Sequence, residues 1–390
     1  MLPHLFKLIW NKKKQNFLLT AEILVSFMVI FAVFTLLIYA YSNFRKPMNF
    51  EYKNVWTANY GIPEGMQNKD SIAMALDGLK KSILSLPQVE SLSFYSNNVP
   101  FSASTMNWGV SYKNQRVQTD IYDTEPNIPE VLDLKLVNGT WFSRADNSSA
   151  KPVVINESLK EKLFGTENPL GKILKDDDNK FKVVGVVADF KSKGDYQPAD
   201  YGMYQPMDST TYSHGNAMLI KVSPDADAAF EGKLYKTIAN FSRGTSIEIE
   251  HLDRKREVKN RITLVPTIIL LIISGFLIFN VALGLFGVLW YNISKRKGEI
   301  GLRRALGATG QSISGQLVAE TLVLSTFALL LGSFFAVQFP LLNVFDLPGH
   351  VYYTAIISAI VFIYILASVC ALYPGKQAAG ILPAVALHEE

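Results

Sequence analysis

The chain has 390 residues, 38 Lys and Arg against 34 Asp and Glu for a formal net charge of +4, one cysteine and 49% hydrophobic residues. The small cationic excess sits in short loops and gives no footing for nucleic-acid binding, and a lone cysteine excludes an internal disulfide framework. Mean hydropathy is only mildly positive, which fits a few concentrated apolar runs beside a large water-facing part.

Residues 1–16 carry Lys7, Lys12, Lys13 and Lys14, and within them LPHLFKLIW (2–10) reads as an amphipathic surface helix with Trp10 at headgroup level. A frayed terminus is the plainer alternative. Residues 17–41 follow as an apolar run of 25 residues. As a helix it covers about 37 Å, more than the ~30 Å hydrocarbon core. It is too long for a signal-peptide core and lacks a small-residue cleavage site, so it reads as a retained anchor.

Residues 42–262 alternate helical and strand patterns, which predicts a large α+β domain. SIAMALDGLKKSILSL (71–86) has helical spacing and ends at Pro87; 89–95 and 117–122 read as strands. KPVVINESLKEKLFG (151–165) reads as a buried strand, an Asn156 cap and a helix closed by Gly165. Residues 173–187 predict two strands joined by an acidic turn, 225–241 a helix, and 246–251 a strand. DRKREVKNR (253–261) keeps helical spacing into the next apolar run and reads as a helical stalk, with a solvated linker as the alternative.

Three further spans are predicted at 263–292, 313–340 and 351–373, separated by a basic loop (293–312) and a short loop (341–350) and followed by a tail (374–390). Lys and Arg crowd the first flank and the 293–312 loop, whereas 341–350 has none. The cation bias therefore puts both termini and the basic loop in the cytoplasm and 42–262 outside. The predicted fold is an α-helical membrane protein of four transmembrane helices, one plus three, with a large α+β extracytoplasmic domain between helices 1 and 2.

No catalytic chemistry is legible. GTENPLGKI (165–173) has one residue too many between its glycines for a phosphate loop and Ile173 where a hydroxyl is needed. The five histidines are scattered without metal-ligand spacing, and Asp176-Asp177-Asp178 lacks the Gly and distal Glu of a calcium loop. GQSISG (310–315) is one residue too long for a nucleophile elbow. The expectation is a non-catalytic chain without cofactor or metal. Among polar residues inside spans, Glu22 is placed to reach back to the interface, and Gln316 and Glu320, one turn apart, to face the bundle or a dimer partner. A proton relay lacks a second carboxylate nearby in sequence.

The basic loop holds Lys295, Arg296, Lys297, Arg303 and Arg304. EIGLRRAL (299–306) makes two helical turns with Glu299 and Arg303 paired at i,i+4; Gly307 stops it, and Thr309 or Ser312 caps the next helix. Such a helix offers Ile300 and Leu302 as apolar knobs framed by arginines. Two readings stand equal on charge: docking of a partner, or attraction to anionic lipid.

KGEIGLRRALGA (297–308), followed by Gln316 and Glu320, resembles the signature of FtsX-like ABC transporter permeases, specifically the MacB-type branch. VVINE (153–157), LFG (163–165), NPLGK (168–172) and VGVVADF (184–190) are similar to its periplasmic core domain, and PGKQAAGILPAVAL (374–387) to its ending. The resemblance implies one span, a periplasmic domain and three spans in a bacterial inner membrane. One departure is expected: MacB itself fuses an amino-terminal ATPase, whereas no phosphate loop is legible here. It implies a homodimer or related heterodimer driven by a separate cytoplasmic ABC ATPase, which holds the ATP and Mg. The implied coupling helix comprises Glu299, Ile300, Leu302, Arg303, Arg304, Ala305 and Gly307. It also implies mechanotransmission for efflux or export, with a periplasmic adaptor among the partners. An FtsX-like scaffold regulating a periplasmic hydrolase, and a membrane sensor, are the alternatives. We predict that a reporter fused at Asp177 is active only outside the membrane and one at Gly310 only inside; the reverse would overturn this topology.

Overall fold

The computed structural model describes residues 13–63, 66, 68–143, 150–176, 179–207, 217–242 and 245–380. The surface helix expected at 2–10, Asp177 and Asp178 of the acidic turn, and the end of the tail from 381 lie outside them. The chain divides into a helical unit (Met1–Ser42 with Leu264–Glu390) and an α/β unit (Asn43–Thr263).

Four helices are long and apolar enough to cross a membrane: α1 (Lys13–Phe44), α6 (Leu252–Lys295), α8 (Gly310–Leu341) and α9 (Gly349–Ala379). The one-plus-three arrangement with the α/β unit between is therefore as the sequence predicts. Each helix runs past its apolar run, because propagation adds one hydrogen bond per residue while nothing breaks the ladder. The stalk stretch 253–261 is helical and continuous with the second span, α6. Helices α8 and α9 approach each other closely, and α9 buries a run of small residues (Ala355, Ala359, Ala367, Ala371). In a membrane, where lipid is as apolar as leucine, such close approach supplies most of the packing attraction. Phe27 and Phe31 of α1 join Leu329 and Ile356 in the same core.

Among the described residues the α/β unit contains one connected sheet of eleven strands. One part comprises β11 (Ile249–His251), β1 (Val55–Asn59), β10 (Ala217–Val222) and β2 (Val89–Ser96), all antiparallel. Helices α2 (Lys69–Leu84) and α5 (Ala228–Phe241) cover it, burying Leu76, Ile83, Phe230 and Leu234 on Trp56 and Phe94. Each helix starts at a side-chain cap: Asn68 accepts from Asp70 and Ser71, and Asp227 from Phe230.

The other part closes on itself. Strands β4 (Gln115–Thr124), β3 (Asn107–Tyr112), β7 (Ile173–Lys175), β8 (Lys180–Val187), β6 (Lys151–Asn156) and β9 (Gly202–Pro206) pair in that order, and β9 returns to β4. Closure removes exposed edges. Helix α4 (Glu157–Phe164) packs Leu159 and Leu163 on Val153, Phe181 and Met203. Two short elements complete the unit: α3 (Ile128–Leu132), and β5 (Leu136–Gly139), which pairs with β8.

Asn156 joins these levels. Its Oδ1 accepts from Leu159 N at 3.1 Å and Gly202 N at 2.9 Å, and its Nδ2 donates to Asp200 O at 2.6 Å, with the side chain fully buried. It thus caps α4 and ties the end of β6 to the start of β9. Asn156→Ala removes a cap and strands buried groups, which should cost roughly 2–4 kcal/mol. The expected result is a lower melting temperature of the purified chain and faster hydrogen exchange over 151–164 and 202–206. An unchanged melt would contradict this role.

Candidate functional site

The loop after α6 folds as a hook. Helix α7 (Lys297–Ala305) starts after Arg296 and carries Glu299 in its first turn and Arg303 and Arg304 in its last, the arrangement that suits its dipole. It ends where Ala308 N donates to Arg303 O at 3.0 Å and Gly307 N to Arg304 O at 3.1 Å, with Gly307 at φ +95°. This paired closure needs the left-handed conformation that glycine adopts without strain. Thr309 then caps α8 by accepting from Ser312 N.

Beneath α7, Ile300 packs with Ile293 of α6, Ile313 and Leu317 of α8, and Ala378 of α9. Ile300 is only 6% exposed, so it is not an outward knob. The outward apolar positions are Leu302 and Leu306, 52% and 80% exposed, one turn apart on the opposite face. Ala305 is exposed beside them, and Arg304 is half-buried.

The polar residues form a closed ring. Arg296 donates from Nε to Glu299 Oε2 at 3.1 Å and from Nη1 to Glu320 Oε2 at 2.9 Å. Gln316 Nε2 donates to Glu320 Oε1 at 3.1 Å. Arg303 Nη1 donates to Gln316 Oε1 at 2.8 Å, and its Nη2 to Glu299 Oε1 at 2.6 Å. Two guanidinium groups, two carboxylates and one amide thus satisfy one another with no net charge. Arg296 and Glu320 are mostly buried, so their pair is little screened. The cleft enclosed with Ile300, Ile313 and Leu317 has a volume of about 20 Å³, room for one water and no ligand. The ring is a fastening between α7 and the first turns of α8.

The i,i+4 pair of Glu299 and Arg303 is present as expected. Gln316 bonds to Arg303 and Glu320 to Arg296, because charge-assisted hydrogen bonds are available there. Glu320 is held as an ion-pair partner by Arg296. Glu22 lies elsewhere in the helical unit, half-buried against Gly284 of α6, where an added methyl group would clash with its carboxylate. Sequence reasoning missed Arg296 as the partner of Glu320, since their separation of 24 residues carries no local periodicity.

The MacB-like periplasmic core domain family matches residues 17–234, and the FtsX-like permease C-terminal family matches 271–383. A macrolide export ATP-binding/permease protein, MacB, from Bdellovibrio bacteriovorus is 24% identical over 296 residues, covering 72% of this chain and 45% of that protein. A pyoverdine export ATP-binding/permease protein, PvdT, from Pseudomonas aeruginosa is 24% identical, covering 88% and 50%. The ABC transporter permease YknZ from Bacillus subtilis is 22% identical, covering 72% of each chain. The chain spans about half the length of the MacB and PvdT relatives. The periplasmic region of MacB from Actinobacillus actinomycetemcomitans covers 53% of this chain and 92% of that one, at 22% identity and a TM-score of 0.37.

The ring predicts a specific pattern of stability. Glu320→Leu or Arg296→Met leaves a buried charge without its partner and should cost roughly 2–4 kcal/mol, whereas the two combined should recover most of it. Thermal unfolding of the purified chain in detergent reads this cycle. Additive losses in the double variant would show that the two side chains do not interact.

Proposed function

The chain belongs to the family of ABC transporter permeases that join a MacB-like periplasmic core to an FtsX-like permease end, and on that premise we propose that it is the permease subunit on which a separate cytoplasmic ATPase acts through α7. The carrying observation is α7 itself. It is short, fastened to α8 by the polar ring, seated on an apolar underside, and presents Leu302 and Leu306 to the outside between basic residues.

A transmitting element must keep its shape under load. A loop held by lipid attraction alone would need only charge, yet here Arg296 is turned inward onto Glu320, and Arg303 is paired with Glu299. Their use as fasteners, with leucines left outside, favours packing against a protein over adsorption to lipid. An apolar pair framed by charge suits a groove on a partner whose centre excludes water.

In this reading the work of ATP hydrolysis on the partner moves α7, and with it α8, and reaches the α/β domain as a change of conformation. The permease needs no cofactor of its own; ATP and Mg belong to the partner. The membrane is the bacterial inner membrane with both termini cytoplasmic, and the working unit pairs this chain with a second permease, identical or related. Export is the expected direction, because the names of the MacB and PvdT relatives state export for those proteins. A periplasmic adaptor is a further expected partner.

Leu306→Asp should weaken capture of the ATPase by on the order of 2 kcal/mol, through a carboxylate forced into an apolar contact, while leaving the melting temperature of the chain unchanged. Ile300→Asp should instead destabilise the chain, since that side chain sits beneath α7. Lys295→Gln with Lys297→Gln should change capture by no more than about 1 kcal/mol per charge. Pull-down of the co-expressed ATPase measures all three. Normal capture by Leu306→Asp together with loss in the lysine variants would replace this account with lipid adsorption.

A further inference from the structure

The loop between β8 and β9 contains charged groups that a surface connection does not need to bury. Lys191 and Asp195 are 3% and 6% exposed. The Lys191 ammonium donates to Asn43 O at 2.8 Å, Lys46 O at 3.3 Å and Asp195 O at 2.7 Å. Asn43 lies in the last turn of α1, so the cation sits at the negative end of that helix, where free carbonyls need donors. Burial pushes the lysine's pKa down, and the Asp195 carboxylate opposes that shift.

The second prong faces α6. Asp195 accepts from Arg256 Nε at 2.8 Å and Nη2 at 2.7 Å, a bidentate pair, and from Asn260 Nδ2 at 2.9 Å, while its own backbone N donates to Asn260 Oδ1 at 2.9 Å. Gly194, at φ +103°, lets the backbone approach; a methyl group there would fall 2.7 Å from that Oδ1. Behind the loop, Ser192 O accepts from Phe101 N at 2.7 Å, and Lys191 N donates to Met48 O at 3.1 Å. One short loop thus holds the end of α1, the second and third turns of α6 and the aromatic core together.

We propose that residues 191–195 are a clasp that joins the end of α1 and the beginning of α6 into one mechanical element, with Lys191 and Asp195 as its positioning residues. A load on either helix is then shared by the other and passed to the core through Ser192. The transmitting role rests on the permease reading above; the clasp does not.

Hydrogen exchange of the purified full chain tests it, following peptides over 43–50 and 252–262. The clasp predicts cross-effects. Asp195→Asn, which touches the α6 side, should also speed exchange at 43–50 about tenfold, and Lys191→Met should do the same at 252–262, with strands β6 and β8 unchanged. If either substitution unfolds the strands, Gly194→Ala, which crowds Asn260 and strains the left-handed backbone of the loop, is read at 43–50 by the same criterion. Faster exchange confined to the side each variant touches, or no change, overturns the clasp. Failure of the permease reading would leave the cross-effects in place.

Discussion

The ion pair between Arg296 and Glu320 is the constraint on which the architecture of the basic loop depends. A carboxylate in the third turn of an apolar helix is costly unless a cation reaches it. The chain supplies that cation by turning back immediately after α6, and the turn fixes where α7 begins. With Arg296 committed to Glu320, Glu299 is held from one side and Arg303 closes the circuit through Gln316. Each member satisfies two neighbours, so no buried donor or acceptor of the five is left to favour another arrangement. The apolar underside at Ile300 adds a non-directional component beneath the directional one.

That arrangement determines what the loop can offer. Five cations in one loop suggest a simple electrostatic surface, but two of them are neutralised internally, and Lys295 lies over the Tyr291 ring at 4.9 Å. Beside the remaining cations, the loop presents a leucine pair on a helix that cannot roll without breaking the ring. The polar ring at α7 and the hold of the 191–195 loop on α1 and α6 use the same chemistry: charge-assisted hydrogen bonds supply direction that apolar packing alone lacks.

The gross plan was legible because apolar runs of 25 residues and their flanking cations are strong, local signals. Asn156 as a cap and Gly165 as a stop were readable for the same reason: helix ends are decided within one turn. The strands at 55–59, 202–206 and 217–222 were not anticipated. They are short, buried on both faces and without alternation, and their pairing partners lie far along the chain, as in β1 with β10. Within the candidate site, helical phase already separates Ile300 from Leu302 by about 200°, so both could not meet one partner. Which face turns inward depends on Ile313, Leu317 and Ala378, and only tertiary structure brings these together.

The claim that α7 moves as one body with α8 is tested most directly by the distance between them. With Cys370 replaced by Ser, spin labels at Leu306 and at Phe334, both exposed, report that distance by pulsed electron resonance in lipid nanodiscs. The account predicts a single narrow distribution in the otherwise native chain that broadens when Glu320→Gln opens the ring. A broad distribution before the ring is touched, or a narrow one that ignores its loss, would contradict it.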